Sequence, residues 1–134
     1  LDREGRESVS LSGPLLVRDA ETGMTDLLQP RFTLPSESGE WTARSGLGRL
    51  NASGDELRLT RDVRSDGPPD GPNVNLRFRS EELTVLPEAQ WVTSQAAVSI
   101  EQGPSIILGQ GLEVELDTRR FRTTQSRITH DPSR

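Results

Sequence analysis

The chain has 134 residues, 28% of them charged, and a formal net charge of −5. Its 16 basic residues, all Arg, are outnumbered by 21 acidic ones, which excludes the clustered positive excess that a nucleic-acid backbone demands. Cysteine is absent, which removes thiol catalysis, disulfides and Cys-based zinc sites together.

The length fits one domain, expected to span residues 1–134. Leu, Ile, Val and Phe number 32, or 24%, above the roughly 20% below which disorder is expected. A core can form, but a thin one. No apolar run approaches the ~18 residues of a membrane helix, and no signal peptide is seen. The first residue is Leu, not Met, which reads as a processed or truncated piece, one from which an N-terminal anchor could have been cut away.

In chain order, the first marked residue is Gly5 in "DREG", read as a turn glycine with positive φ. A faint unit then runs from Leu16 to Phe32. Clearer copies run from Leu47 to Val63, from Leu83 to Val98 and from Leu112 to Ile128. A period near thirty fits either helical or hairpin repeats, and local alternation decides between them. Leu57 and Leu59 oppose Glu56 and Arg58; Leu76 and Phe78 oppose Arg77 and Arg79. Val92, Ala96, Val98 and Ile100 share a face, and Leu112, Val114 and Leu116 oppose Glu113, Glu115 and Asp117. Period two means strands with one buried face. Turns fall at Ser53-Gly54-Asp55, Leu86-Pro87-Glu88 and Gly103-Pro104. The segment 65–73, with three prolines that lack donors, reads as a mobile loop.

Each unit is therefore an out-and-back hairpin, and stacked hairpins bury one another's apolar faces. Trp91 and Val98 are seven residues apart, as are Phe121 and Ile128. An odd spacing requires either a bulge or an aromatic on the outer face. The last unit, Phe121, Arg122, Thr123, Thr124, Gln125, Ser126, Arg127 and Ile128, has no later unit to cover it. It is strand-compatible and mostly polar, which suits the addition of a partner strand.

Catalytic and metal chemistry find little support. His130 is the only histidine and sits in a tail four residues from the end. Glu81-Glu82 and Glu113/Glu115 read as solvated strand faces rather than metal ligands. Gly109-Gln110-Gly111 opens into a strand, the wrong setting for a phosphate cradle. In Arg77-Phe78-Arg79 and Arg120-Phe121-Arg122 an inward Phe leaves the guanidinium groups outside. There they serve either as solubilising charge or as bidentate partners for phosphate.

The order of "LDREG", "LLQPRFTL", "WTARSGLGRL", "DELRLTRDV", "LRFRSEELTV", "VTSQAAVSI" and "GLEVELDT" resembles the periplasmic domain of the LptC family of lipopolysaccharide-export proteins, over nearly the whole chain. The resemblance implies an all-β, open (V-shaped) antiparallel β-jellyroll, shared with LptA. It also implies a non-enzymatic, cofactor-free module that takes lipopolysaccharide from the LptBFG transporter and relays it to an LptA bridge. It implies a periplasmic location with an inner-membrane anchor outside this chain, Gly5 at the transporter end and the edge 121–128 at the LptA side. The inward stripe of Phe32, Leu57, Leu59, Phe78, Leu83, Val85, Val98, Ile100, Leu112 and Val114 would then line an acyl-chain groove. The alternatives are a soluble LptA-like bridge of the same fold and a carbohydrate-binding or adhesive β-sandwich in which these residues only fill the core.

Overall fold

A computed structural model describes residues 9–68 and 76–130, without the side chains at 125, 126, 129 and 130. The alternating runs form eleven strands: β1 (Ser10–Ser12), β2 (Leu15–Arg18), β3 (Thr25–Leu28), β4 (Arg31–Ser36), β5 (Gly39–Arg44), β6 (Leu47–Leu50), β7 (Leu57–Asp66), β8 (Leu76–Leu86), β9 (Trp91–Gln102), β10 (Ser105–Glu115) and β11 (Arg120–His130). All pairings are antiparallel and belong to one continuous sheet. Among the described residues there is no helix.

The topology is simpler than eleven strands imply. β1 and β2 are separated only by Gly13 and Pro14, β3 and β4 by Gln29 and Pro30, and β5 and β6 by Ser45 and Gly46. Each of these pairs acts as one interrupted strand. β4 pairs β5 while β3 pairs β6, and β7 takes β6 along residues 57–60 and β5 along 64–66. The remaining long strands follow in sequence order, so the described sheet is a meander from β1 to β11.

Every long strand is disturbed near its middle. Register slips between Thr60 and Val63 of β7, between Ser80 and Thr84 of β8, and between Gln110 and Leu112 of β10; β11 slips twice against β10. Gln29, Arg61 and Asp62 take left-handed φ values of 48°, 70° and 51°, rare for side-chain-bearing residues, and Gly111 takes 78° at no steric cost. Bulges bend a strand and increase its twist. Aligned across all the strands, they make a crease that folds the sheet onto itself. The first leaf holds β1, β4 and β5 with segments 63–66, 76–80, 98–102, 105–108 and 127–130. The second holds β2, β3 and β6 with 57–60, 83–86, 91–94, 112–115 and 120–124.

The backbone groups freed at the crease find partners. The Gly46 N–H donates to the Arg61 carbonyl at 2.8 Å. Ser80 Oγ donates to the Ala97 carbonyl at 3.0 Å, Gln110 Nε2 to the Gln95 carbonyl at 2.9 Å, and Thr124 Oγ1 to the Gln110 carbonyl at 2.6 Å. These bonds occupy backbone groups that the bulges take out of the ladder; the Ser80 bond is half-buried, and those of Gln110 and Thr124 lie at the surface.

The all-β, open antiparallel expectation holds, with one refinement: the two layers are halves of one creased sheet. The odd aromatic spacings resolve in opposite ways. Val92, not Trp91, joins the inner face opposite Val85, so Trp91 lies outside. Phe121 and Ile128 share the inner face because β11 bulges between them. The predicted loop 65–73 is shortened at its start, since Ser65 and Asp66 end β7 in register with Phe78 and Arg77; residues 69–73 lie outside the described residues. His130 is not in a loose tail by its backbone, which pairs with Ser105. Gly5 lies outside the described residues.

Candidate functional site

Cross-strand neighbours share a face, so the register turns the inward residues into rows. One row runs Leu57, Val85, Val92, Val114, Phe121 across five strands. On the other leaf a row runs Ser65, Phe78, Ile100, Ile107, Ile128. Between them lie Leu59 beside Leu83, Ser94 beside Leu112, and Ser80 beside Val98. All ten residues expected to line a groove, from Phe32 to Val114, are brought into one cluster, and each is at most 6% exposed.

The same cluster contains Leu27, Leu34, Trp41, Ala43, Val63, Leu76 and Leu116, which the list of groove residues omits. Alternation reveals them too. Thr25 and Leu27 are buried in β3 around exposed Asp26, and Phe32 and Leu34 alternate in β4 as Trp41 and Ala43 do in β5. The leaves are closely packed on each other. A pocket between the leaves, bounded by Phe32, Leu34, Trp41, Thr42, Ala43 and Ser65 on the first and by Leu83, Val85, Val92 and Leu116 on or beside the second, has a volume of about 10 Å³. That is room for about one water molecule, so an acyl chain enters there only if the leaves part. Packing alone is equally that of a sandwich that holds nothing.

One pair of polar side chains interrupts the apolar surface. Ser80 and Ser94 are 8% and 7% exposed and their hydroxyls lie 3.3 Å apart. Ser94 Oγ also accepts from the Ala96 N–H at 3.1 Å. Both therefore serve the crease and need no ligand.

The mouth of the fold is joined by hydrogen bonds. Ser38 Oγ donates to the Leu116 carbonyl at 2.5 Å and the Glu37 N–H to Asp117 Oδ1 at 2.9 Å. Gln90 Nε2 donates to the Pro35 carbonyl at 3.3 Å, and Arg119 Nε to the Pro68 carbonyl at 2.7 Å. The turn between β4 and β5, at the tip of the first leaf, is thus tied to the turns that end the second.

The arginines flanking Phe78 and Phe121 do point outward, where three of the four meet carboxylates of neighbouring strands. Arg77 pairs with Asp66 at 3.1 Å, Arg79 with Asp62 at 3.7 Å, and Arg122 with Glu113. Arg49 pairs with Asp26 at 2.7 Å, and this hydrogen bond holds the Asp26 carboxyl below its ordinary value. Asp55 is lowered as well, by the hydrogen bonds from Asn51 and then Ser53 that shape the turn after β6. Among the described residues no group of three or more His, Cys, Asp or Glu is placed to hold a metal.

Two edges stay uncovered among the described residues. β11 has β10 on one side only, and on it the row that starts at Ser65 ends at Ile128, 66% exposed. β2 pairs only β3 and exposes Leu15, Leu16 and Val17.

A protein-family model described as "Lipopolysaccharide-assembly, LptC-related" matches residues 1–129. No curated protein matches the chain. Among solved structures, the chain is similar in fold to LptH of Pseudomonas aeruginosa, described as the LptA homologous periplasmic component of the conserved lipopolysaccharide transport device. The TM-score is 0.74 at 8% identity, covering 94% of this chain and 96% of that one.

Proposed function

This chain belongs to the LptC-related lipopolysaccharide-assembly family, and on that premise we propose that it binds lipopolysaccharide between its two leaves and relays it from the LptBFG transporter to an LptA-like periplasmic bridge. Family membership supports a part in lipopolysaccharide transport; the relay is the finer reading. The observation that carries it is the pair of inward rows that cross five strands, apolar except at Ser65, one of which runs out to exposed Ile128 on an uncovered edge. Acyl chains need a long apolar stripe. A strand bound to the β11 edge through residues 121–128 would extend that stripe into the bridge, because augmentation keeps side-chain rows in register. The end near Gly5 would face the transporter, with the protein held at the inner membrane by an anchor outside this chain. The energy is supplied by ATP hydrolysis in the transporter.

Photo-crosslinkers at Phe78, Leu83 and Leu112 test the groove. They should capture lipopolysaccharide while crosslinkers at outward Arg58 and Glu101 do not. Capture at the outward positions alone would overturn the groove. The fold likeness to LptH also favours a soluble bridge as a second reading. A membrane helix encoded upstream of Leu1 would exclude it.

A further inference from the structure

We infer that the turn between β4 and β5 is a latch, which holds the mouth of the folded sheet shut and must release before an acyl chain can enter. The inference rests on the lipid-binding reading and adds a gate to the same site.

Three features point to it. First, the leaves are packed together: their inward core side chains are at most 8% exposed, and the pocket between β4–β5 and the second leaf offers only about 10 Å³. Binding therefore requires a second, open state, and the apparent affinity falls with the fraction of molecules in that state. Second, the crease supplies a hinge. Arg61 and Asp62 sit in left-handed conformations where β7 passes from β6 to β5, and the strand breaks at Gln29-Pro30 and Ser45-Gly46 adjoin them. Rotation there parts the leaves without breaking the ladders within either one. Third, the tips are joined by a few polar contacts of a kind that water can replace.

Those contacts centre on Ser36 and Ser38. Ser38 Oγ donates to the Leu116 carbonyl at 2.5 Å; Ser36 Oγ lies 3.4 Å from the same carbonyl and donates its proton to the Gly39 carbonyl at 2.8 Å, which shapes the turn. Both hydroxyls also accept from Trp41 Nε1, at 3.3 and 3.1 Å. The indole, itself 4% exposed, is thereby coupled to the state of the latch. Water can replace each of these bonds, so each holds the tips with only a small net free energy. Beneath them, the apolar faces would be exposed on opening unless a lipid took the place of the opposing leaf. The latch is thus weak enough to yield, and the open state is favourable only when occupied.

The chain lacks cysteine, so a single engineered pair can lock the tips. Glu37→Cys with Asp117→Cys, bridged by oxidation or by a short bis-maleimide, should leave a folded β protein by circular dichroism. Its capture of purified lipopolysaccharide should fall at least about tenfold relative to the same protein unbridged. Reduction of the disulfide should restore capture. In the opposite direction, Ser36→Ala with Ser38→Ala should speed lipopolysaccharide capture severalfold. Equal capture by locked and unlocked protein would overturn the latch and leave the lipid-binding reading intact. No capture by the wild-type chain would overturn the lipid-binding reading itself.

Discussion

The ring of Phe121 stands edge-on to that of Phe78, with centroids 5.7 Å apart and planes at 81°. The two residues lie on opposite leaves, and Phe78 is also stacked on Trp41 at 6.2 Å. Phe78 thus joins β5 on its own leaf to β11 on the other. Phe78→Ala should destabilise the domain by about 3–5 kcal/mol, and half-buried Phe121→Ala by about 2–3 kcal/mol. Urea denaturation of the two single variants and the double variant gives the coupling; strict additivity would show that the two rings do not hold the leaves together.

Adjacent residues on β10 separate the inner face from the outer. Ile107 packs against the core opposite Ile100, whereas Leu108 is 40% exposed. Ile107→Glu should weaken lipopolysaccharide capture about tenfold or more, because its charge must be buried beside acyl chains. Leu108→Glu should leave capture unchanged. Equal effects would mean that the inner face is not the lipid face.

At the far end of the row from Ser65, Ile128→Asp should leave stability within about 0.5 kcal/mol, since the side chain is already exposed. It should nonetheless weaken capture of an LptA-like bridge protein in a pull-down. Removing residues 121–134 is a poorer test, because it also deletes Phe121 from the core. A bridge contact that survives Ile128→Asp at full strength would place docking elsewhere.

Gly67 passes so close to the Trp41 ring that an added Cβ would lie 2.6 Å from Cζ3. Gly67→Ala should cost roughly 1–3 kcal/mol by overpacking. Trp41→Leu in the same chain should recover part of the loss. A neutral effect in thermal melts would show that the ring is free to move.

Acid pH acts through the outer face. The folded-state carboxyls of Asp26 and Asp55 lie below their ordinary value of 3.8. Their contribution to stability is present above that value and is lost as pH falls through the lower, folded one. Both are fully exposed, so the effect is small. Arg49→Ala should return the Asp26 titration, followed by NMR, toward its ordinary value while leaving Asp55 unmoved.

Much of this protein is determined by the sequence alone. A strand's side chains alternate faces whatever surrounds it, so Leu57, Leu59, Phe78, Ile100 and Val114 could be assigned inward from a few residues of local pattern. The turns at Gly54, Pro87 and Gly103 are local chemistry too. The crease was half visible: the seven-residue spacings of Trp91–Val98 and Phe121–Ile128 demanded a bulge or an outward ring, but periodicity held no way to choose between them. Register chose, because Val92 rather than Trp91 lies opposite Val85.

The closure was decided by tertiary structure only. Glu37 and Asp117 are 80 residues apart, and Ser38 and Leu116 are 78 apart. Serines and aspartates in turns look alike whether or not they meet a partner, so nothing in the chain marks these contacts. Whether an apolar stripe becomes an open groove or a closed interior depends on where the crease places the opposite leaf. That is the sum of small bends in many strands at once, and no single stretch of sequence carries it.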